Sequence, residues 1–176
     1  MRILILSFIF HSIVIMKLFG QSVHESLNIP WPKEYNWKII SEEIDSLAST
    51  LKMIPGNENI ETNTIVGNIS IVKNNFHVSD IDQVIDQFRK SALQQSSNAK
   101  FKVLEKKENT KNFWTIFKAE TSSFPNDPNP ESQLWFIIQG DSTLYINFVA
   151  VRQSKLNKEF IVKWTQVFKN SQLVYE

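Results

Sequence analysis

The side chains that most often carry out chemistry in proteins are sparse in this 176-residue sequence. It contains three histidines and no cysteine, which removes thiolate nucleophiles and cysteine-based metal sites. His24 and His77 follow the apolar amino-terminal segment, and neither belongs to a metal-binding pattern such as H-E-x-x-H. We therefore expect no catalytic residue, no metal site and no cofactor, and predict that the protein is not an enzyme.

Acidic residues offer two weaker alternatives. Asp127, Glu131 and Asp141 lie in predicted loops, where carboxylates can bind calcium, but their spacing matches no EF-hand. A pair of carboxylates could also hydrolyse a glycosidic bond, although the sequence places no two of them across a cleft. The carboxylates considered for such a pair are Glu42, Glu43, Asp45 and Glu120. Turns and solvated strand edges are the expected setting for both groups.

The aromatic residues are more informative than the charged ones, because most of them recur at spacings typical of a protein core. Three lie instead beside two prolines, at Trp31, Tyr35 and Trp37. Proline prevents regular strand pairing, so we predict an extended arm over residues 23–36 that lies against the domain. Together with Phe124, from a proline-rich loop, these rings form the predicted contact patch for a partner.

Hydrophobic periodicity predicts the elements that position these residues. Apolar residues spaced by three and four predict one helix that begins at Ser79, with Asp82 completing a capping box, and a second helix over 157–170. The segment 37–45 fits either a strand or a short helix. Alternating or β-branched runs predict strands at 49–54, 65–72, 100–105, 113–120, 134–139, 143–151 and 173–175.

The order of these elements predicts a fold class. Strands joined by short turns pair antiparallel, and the glycine between runs 134–139 and 143–151 indicates a tight hairpin. Both of these runs are apolar on both faces, which is typical of central strands covered on both sides. We therefore predict one α+β domain at 37–176, an antiparallel β-sheet flanked by two main amphipathic helices.

The amino-terminal segment predicts export. Arg2 precedes an apolar run at 3–18, and small residues follow it, so residues 1–22 match a secretory signal peptide cleaved after Gly20 or Ser22. A membrane anchor would need about 20 apolar residues, more than this run contains. We expect a periplasmic or extracellular protein with no stable membrane anchor.

Charge argues against a nucleic-acid partner. The chain has 19 Lys and Arg against 18 Asp and Glu, and removal of residues 1–22 takes away only two basic residues, which leaves a formal charge of −1. Nucleic-acid-binding domains are expected to show a strongly basic surface. An exported domain without cysteine must also fold without disulfides, on its core alone.

Two stretches, residues 51–66 and 135–174, resemble exported bacterial proteins of unknown role. In the first, a strand ends in a P-x-x-E motif at Pro55 and Glu58; in the second, a hairpin precedes a tryptophan-containing helix and a terminal strand. The order of elements is similar to the PsbP-like fold, named for a photosystem II accessory subunit and found also in DcrB envelope lipoproteins and a yeast nuclear import factor. The resemblance implies an adaptor or assembly role and supplies no functional residue. The cysteine that lipid attachment needs is absent here.

These features lead to two expected functions. The first is an exported, non-enzymatic protein that binds another protein or an envelope component through the arm and the loop at 122–132. The alternative is a small-molecule carrier with a pocket between the sheet and a helix. An enzyme of unfamiliar type would need converging polar groups that no pattern in the sequence reveals.

Overall fold

The computed structural model of the chain describes residues 25–73, 78, 80–125 and 127–176. The predicted signal peptide at 1–22 lies outside the described residues, as do His24, His77 and Ser79.

The described residues form nine strands and two α-helices, in the order β1 to β4, α1, β5 to β8, α2, β9. A 3₁₀ turn at Lys33–Tyr35 separates β1 from β2. The helices are α1 (Ile81–Gln95) and α2 (Lys158–Lys169). The strands are β1 (Glu25–Asn28), β2 (Lys38–Ile44), β3 (Ala48–Ile54), β4 (Ile65–Val72), β5 (Lys100–Lys107), β6 (Trp114–Thr121), β7 (Glu131–Gln139), β8 (Leu144–Val151) and β9 (Gln172–Tyr175).

The strands form two antiparallel sheets. The larger sheet has the order β2-β3-β4-β8-β7-β6-β5, and the smaller one pairs β1 with β9. A short link at 45–47 joins β2 to β3 and a longer one at 55–64 joins β3 to its neighbour β4, whereas α1 lies between β4 and the far edge strand β5 in the chain. The chain then returns strand by strand, so that β8 pairs with β4 in the middle of the sheet.

The predicted α+β architecture, with two main helices flanking the sheet, is wrong. Strands make up 45% of the structure and the two short helices 21%. A helix is about 10 Å across and neighbouring strands are about 4.8 Å apart, so one helix covers only two or three of the seven strands. The domain is therefore mainly β, and each helix covers only part of one face of the larger sheet.

The two faces of the larger sheet carry separate apolar clusters. On β6 and β7, Ile116 and Phe136 pack with α2, while the alternate residues Phe117 and Ile137 pack with α1. Alternation along a strand produces this division, because successive side chains point to opposite faces. In β7, one of the two strands predicted to be apolar on both faces, the two apolar sides thus pack against different helices.

The segment 37–45, which the pattern left undecided, contains edge strand β2. It is paired on one side only, with β3, and its pairing is interrupted by a bulge between Ile39 and Ser41. Ile39 and Ile44 are 60% and 68% exposed. The bulge and the charges of Lys38 and its neighbouring glutamates are features that discourage further strand pairing at an exposed edge.

Side chains cap both helices. Asp80 accepts a hydrogen bond from the Asp82 amide at 2.8 Å, so α1 is capped one residue later than the predicted Ser79. Asn157 caps α2 by accepting from the Phe160 amide at 2.7 Å. The side-chain oxygen of Asp or Asn thus pairs with a backbone amide that has no partner within the first turn of the helix.

Asn147, in the middle of β8, is a buried polar residue without a hydrogen-bond partner among the described residues. It lies on the face of the sheet where the apolar cluster packs with α2, which we call the α2-side core. It is 0% exposed, and neither its amide oxygen nor its nitrogen has a hydrogen bond to any described residue. Burying such an amide unpaired costs roughly 1–3 kcal/mol. Leucine has a similar size and no polar group to desolvate.

We therefore expect Asn147→Leu to raise the free energy of unfolding by about 1–2 kcal/mol, measured by urea denaturation with an unchanged m-value. Asn68→Leu is the matched control, since Asn68 is also buried but donates to Ser70 at 2.9 Å, and it should lower stability. A lower urea midpoint for Asn147→Leu would contradict the prediction.

Candidate functional site

Two aromatic residues of the arm, Trp31 and Tyr35, and the Trp37 that directly follows it are brought together against helix α2. The ring centroids of Trp31, Tyr35 and Trp37 lie 5.6, 5.9 and 6.1 Å from the ring of Trp164. All three rings are half-buried, whereas Trp164 is 0% exposed. Edge-to-face and stacked arrangements at these distances stabilise aromatic pairs. The rings therefore attach the arm to the domain.

Polar contacts reinforce this attachment. Lys163 of α2 lies 4.5 Å from the centre of the Tyr35 ring and donates to the Tyr35 hydroxyl at 3.1 Å and to Glu34 at 2.8 Å. The hydrogen bond from Lys163 holds the pKa of the Glu34 carboxyl below its ordinary value. The Trp37 indole donates to the carbonyl of Pro32 at 3.1 Å. The arm is thus held against α2 by contacts between aromatic rings and by the hydrogen bonds that Lys163 donates.

Strand pairing also holds the arm, at its beginning. β1 pairs with β9 from Glu25 opposite Tyr175 to Asn28 opposite Gln172. The prolines limit this pairing as expected, because β1 ends before the first of them. The predicted extended arm therefore contains a short strand.

Phe124, the fourth residue of the predicted contact patch, lies elsewhere. It forms an isolated bridge with Asp127 in the loop between β6 and β7. The preceding residue, Ser123, accepts a hydrogen bond from Ser96 at the end of α1, at 2.8 Å. The structure therefore places the loop that carries Phe124 at the end of α1 and the other three rings beside α2, and a contact made by all four stays a prediction.

A different site lies between the sheet and α1. It is a groove of about 430 Å³, within the size range of small-molecule sites. We call it the α1 groove. It is lined by Lys52, Asn68, Ser70, Phe88, Ser91, Ala92, Gln95, Gln133, Trp135, Ile146 and Phe148.

The floor of the α1 groove is one row of residues across four adjacent strands. Lys52 on β3 is directly opposite Asn68 on β4, which is opposite Phe148 on β8, which is opposite Trp135 on β7. Residues opposite one another in an antiparallel pair point to the same face. The row therefore runs from a cation through an amide to two aromatic rings, over about 14 Å at the usual strand spacing.

The aromatic end of the row is closely packed. The ring of Trp135 lies 4.4 Å from Phe148 and 4.9 Å from Phe88 of α1, measured between centroids. Trp135 also stacks on the buried Phe117 at 5.8 Å. These contacts immobilise the rings before any ligand arrives, and pre-formed apolar surface is typical of binding pockets.

The polar end of the row is also organised by hydrogen bonds. Asn68 donates to the Ser70 hydroxyl at 2.9 Å, which is 3.1 Å from the Thr50 hydroxyl. Gln133 accepts from the Trp135 indole at 2.9 Å and donates to Glu131 at 2.5 Å. A fixed amide beside an apolar surface can orient a ligand at little entropic cost.

Two of the rings, Phe88 and Trp135, are among the aromatic residues whose spacing in the sequence is typical of a core. The structure leaves both half-buried. One signal could have revealed the groove, since Asn68 and Ser70 alternate with isoleucines in the predicted strand at 65–72. Polar residues on one face of a central strand indicate a face that is not wholly filled by core.

Other kinds of site find no support in the residues that the structure describes. Among them, no group of three or more histidine, aspartate or glutamate side chains could hold a metal ion. No helix in the same residues is long and apolar enough to cross a membrane.

Comparison with known proteins places this chain in no family. No family model matches the chain, and no curated protein is significantly similar to it. The PsbP-like resemblance therefore stays a prediction, and the function has to be argued from the α1 groove itself.

Proposed function

We propose that this protein is a non-enzymatic carrier that acts outside the cytoplasm and holds a small, partly apolar molecule in the α1 groove. The observation that carries the proposal is the cross-strand row from Lys52 to Trp135 beneath α1. An apolar surface with a few fixed polar groups is the usual composition of a ligand site. The export part rests on the signal-peptide pattern at 1–22.

Binding of a protein or an envelope component through the arm has less support. The faces of Trp31, Tyr35 and Trp37 already contact Trp164 and one another. Moving these rings onto a partner would uncover the α2-side core. The α1 groove, in contrast, can be occupied without breaking any contact between described residues.

Native mass spectrometry of freshly purified protein tests the carrier proposal. We expect a mass above that of the chain alone, which disappears in Ala92→Trp because the added ring fills the groove. The matched control is Gln87→Trp, also on α1 but at an exposed position outside the groove, which should keep the extra mass.

Binding of a simple apolar probe provides the second readout. Addition of decanol should shift the indole N–H resonance of Trp135 in the wild type and in Gln87→Trp, but not in Ala92→Trp. A wild-type protein with neither an extra mass nor a shifted Trp135 resonance would rule out the carrier function.

A further inference from the structure

The α1 groove contains a single ionisable side chain. Of its eleven described lining residues, only Lys52 carries a charge. The ammonium group of Lys52 makes no ion pair or hydrogen bond within the part of the chain that the structure describes. A ligand in the groove would therefore meet one uncompensated positive charge.

The nearest acid on the same face of β2 as the partner of Lys52 leaves this charge available, since Glu42 lies opposite Leu51 and points to the other face. Glu43 of β2 lies opposite Thr50, two residues along β3 from Lys52. No salt bridge joins Glu43 to Lys52, although seven lysine or arginine pairs with acids form elsewhere in the described residues. Lys52 itself lies opposite Ser41 and Asn68, which are neutral.

The amide of Asn68 extends the polar end. Its nitrogen donates to Ser70, so the orientation of the amide is set from within the protein. Asn68 is 3% exposed and lies between Lys52 and Phe148 in the row. A ligand with its head group at Lys52 would thus lie next to the neutral amide of Asn68 and, further along the row, over the aromatic rings.

We infer that the ligand of the α1 groove is a free amphiphile with one negative charge, such as a carboxylate that bears an aliphatic or aromatic body. This inference rests on the proposed carrier function. The carboxylate lies at the Lys52 ammonium group, and the apolar body extends over Phe148 and Trp135. Charge complementarity excludes a cationic head group, since no carboxylate lines the groove.

Calorimetric titration with three probes of equal chain length tests the head group. The probes are decanoate, decanol and decylamine. We expect decanoate to bind about tenfold more tightly than decanol, the size of effect that one charge-assisted hydrogen bond produces, and decylamine to bind most weakly. Lys52→Met should remove the preference for decanoate without changing decanol binding, and Lys52→Arg should retain it.

The matched control is Lys102→Met. Lys102 is an exposed lysine of the far edge strand β5, and its removal should leave all three affinities unchanged. If decanol and decanoate bind equally, or Lys52→Met weakens both alike, the inference about the head group fails while the carrier function stands. If none of the probes binds, both fail.

A membrane surface is the other source of such an amphiphile. Co-sedimentation with vesicles of phosphatidylcholine and phosphatidylglycerol distinguishes the two sources. We expect the protein to stay in the supernatant while it binds free decanoate. Sedimentation with vesicles in the absence of decanoate binding would overturn the inference.

Discussion

Replacement of Trp164 by alanine should lower the free energy of unfolding by about 3–5 kcal/mol. Trp164 is 0% exposed, and its ring contacts Trp31, Tyr35 and Trp37 as well as Phe160 and Phe168 of its own helix. Loss of the ring would remove buried apolar area and leave a cavity between α2, the sheet and the arm. Since small domains are stable by only about 5–15 kcal/mol, the variant should be close to unfolding.

The measurement is chemical denaturation followed by far-ultraviolet circular dichroism. Val162→Ala is the matched control, because Val162 lies on the same helix but is 60% exposed and should change stability by less than about 0.5 kcal/mol. A double-mutant cycle of Trp164→Ala with Trp31→Ala should show coupling, since the two rings are in contact. Equal stability of Trp164→Ala and wild type would contradict the packing described for the arm.

Replacement of Glu120 by alanine should destabilise the domain by a similar amount, about 3–5 kcal/mol. Glu120 is 6% exposed and accepts hydrogen bonds from the Lys118 ammonium group at 2.6 Å and from the Leu156 amide at 2.9 Å. Leu156 directly precedes the cap of α2, so the carboxylate joins β6 to the start of that helix. Without it, a nearly buried ammonium group and a buried amide would both lose their partner.

Two comparisons separate the charge from the hydrogen bond. Glu120→Gln keeps an acceptor for Leu156 but loses the charge opposite Lys118, and should fall between wild type and Glu120→Ala. Glu105→Ala removes an exposed ion pair with Lys169, and should change stability by less than about 1 kcal/mol. If Glu120→Ala and Glu105→Ala had equal effects, burial of the Glu120 pair would be irrelevant to stability.

The two faces of the sheet differ in how completely they are covered. On one face the arm adds its aromatic rings to α2, and together they cover a core that includes Trp164 and Phe168. On the other face α1 packs over β6 and β7, and its second half stands beside β3, β4 and β8 without filling the space. The filled face stabilises the fold, and the partly filled face supplies the proposed binding site.

The carrier proposal also explains why so few reactive side chains are needed. Binding of an amphiphile requires apolar area, one charge and fixed geometry, all of which the row from Lys52 to Trp135 supplies. No residue in that row needs an unusual protonation state. The scarcity of histidine and the lack of cysteine are compatible with such a function.

Local patterns in the sequence determined much about the position of individual elements. Periods of two and about 3.6 residues arise from the geometry of each strand and helix alone, so α1, α2, β4 and β8 lie close to their predicted positions. The segment 37–45 could not be decided, because its pattern fits both periods. Only pairing with β3, across a bulge, makes it a strand.

The balance between sheet and helix depended on tertiary structure. Two amphipathic helices indicated a flanked sheet, but the sequence did not show that β4 and β8 join two groups of strands into a single seven-stranded sheet. Nor did it show that β1 pairs with β9, since the two strands lie at opposite ends of the described chain. Such pairings depend on residues far apart in sequence, and the hydrophobic periodicity of one segment does not show which distant segment it pairs with.

For the contact patch and the groove, too, the sequence predicted some features and the tertiary structure decided the others. The prolines and aromatic residues of the sequence predicted an arm at 23–36 that Trp31, Tyr35 and the following Trp37 anchor to the domain. Only the tertiary structure decided that these rings pack against Trp164 and that the loop carrying Phe124 lies at the end of the other helix. The α1 groove, too, exists only after folding, because strand register places Lys52, Asn68, Phe148 and Trp135, from four different strands, in one row.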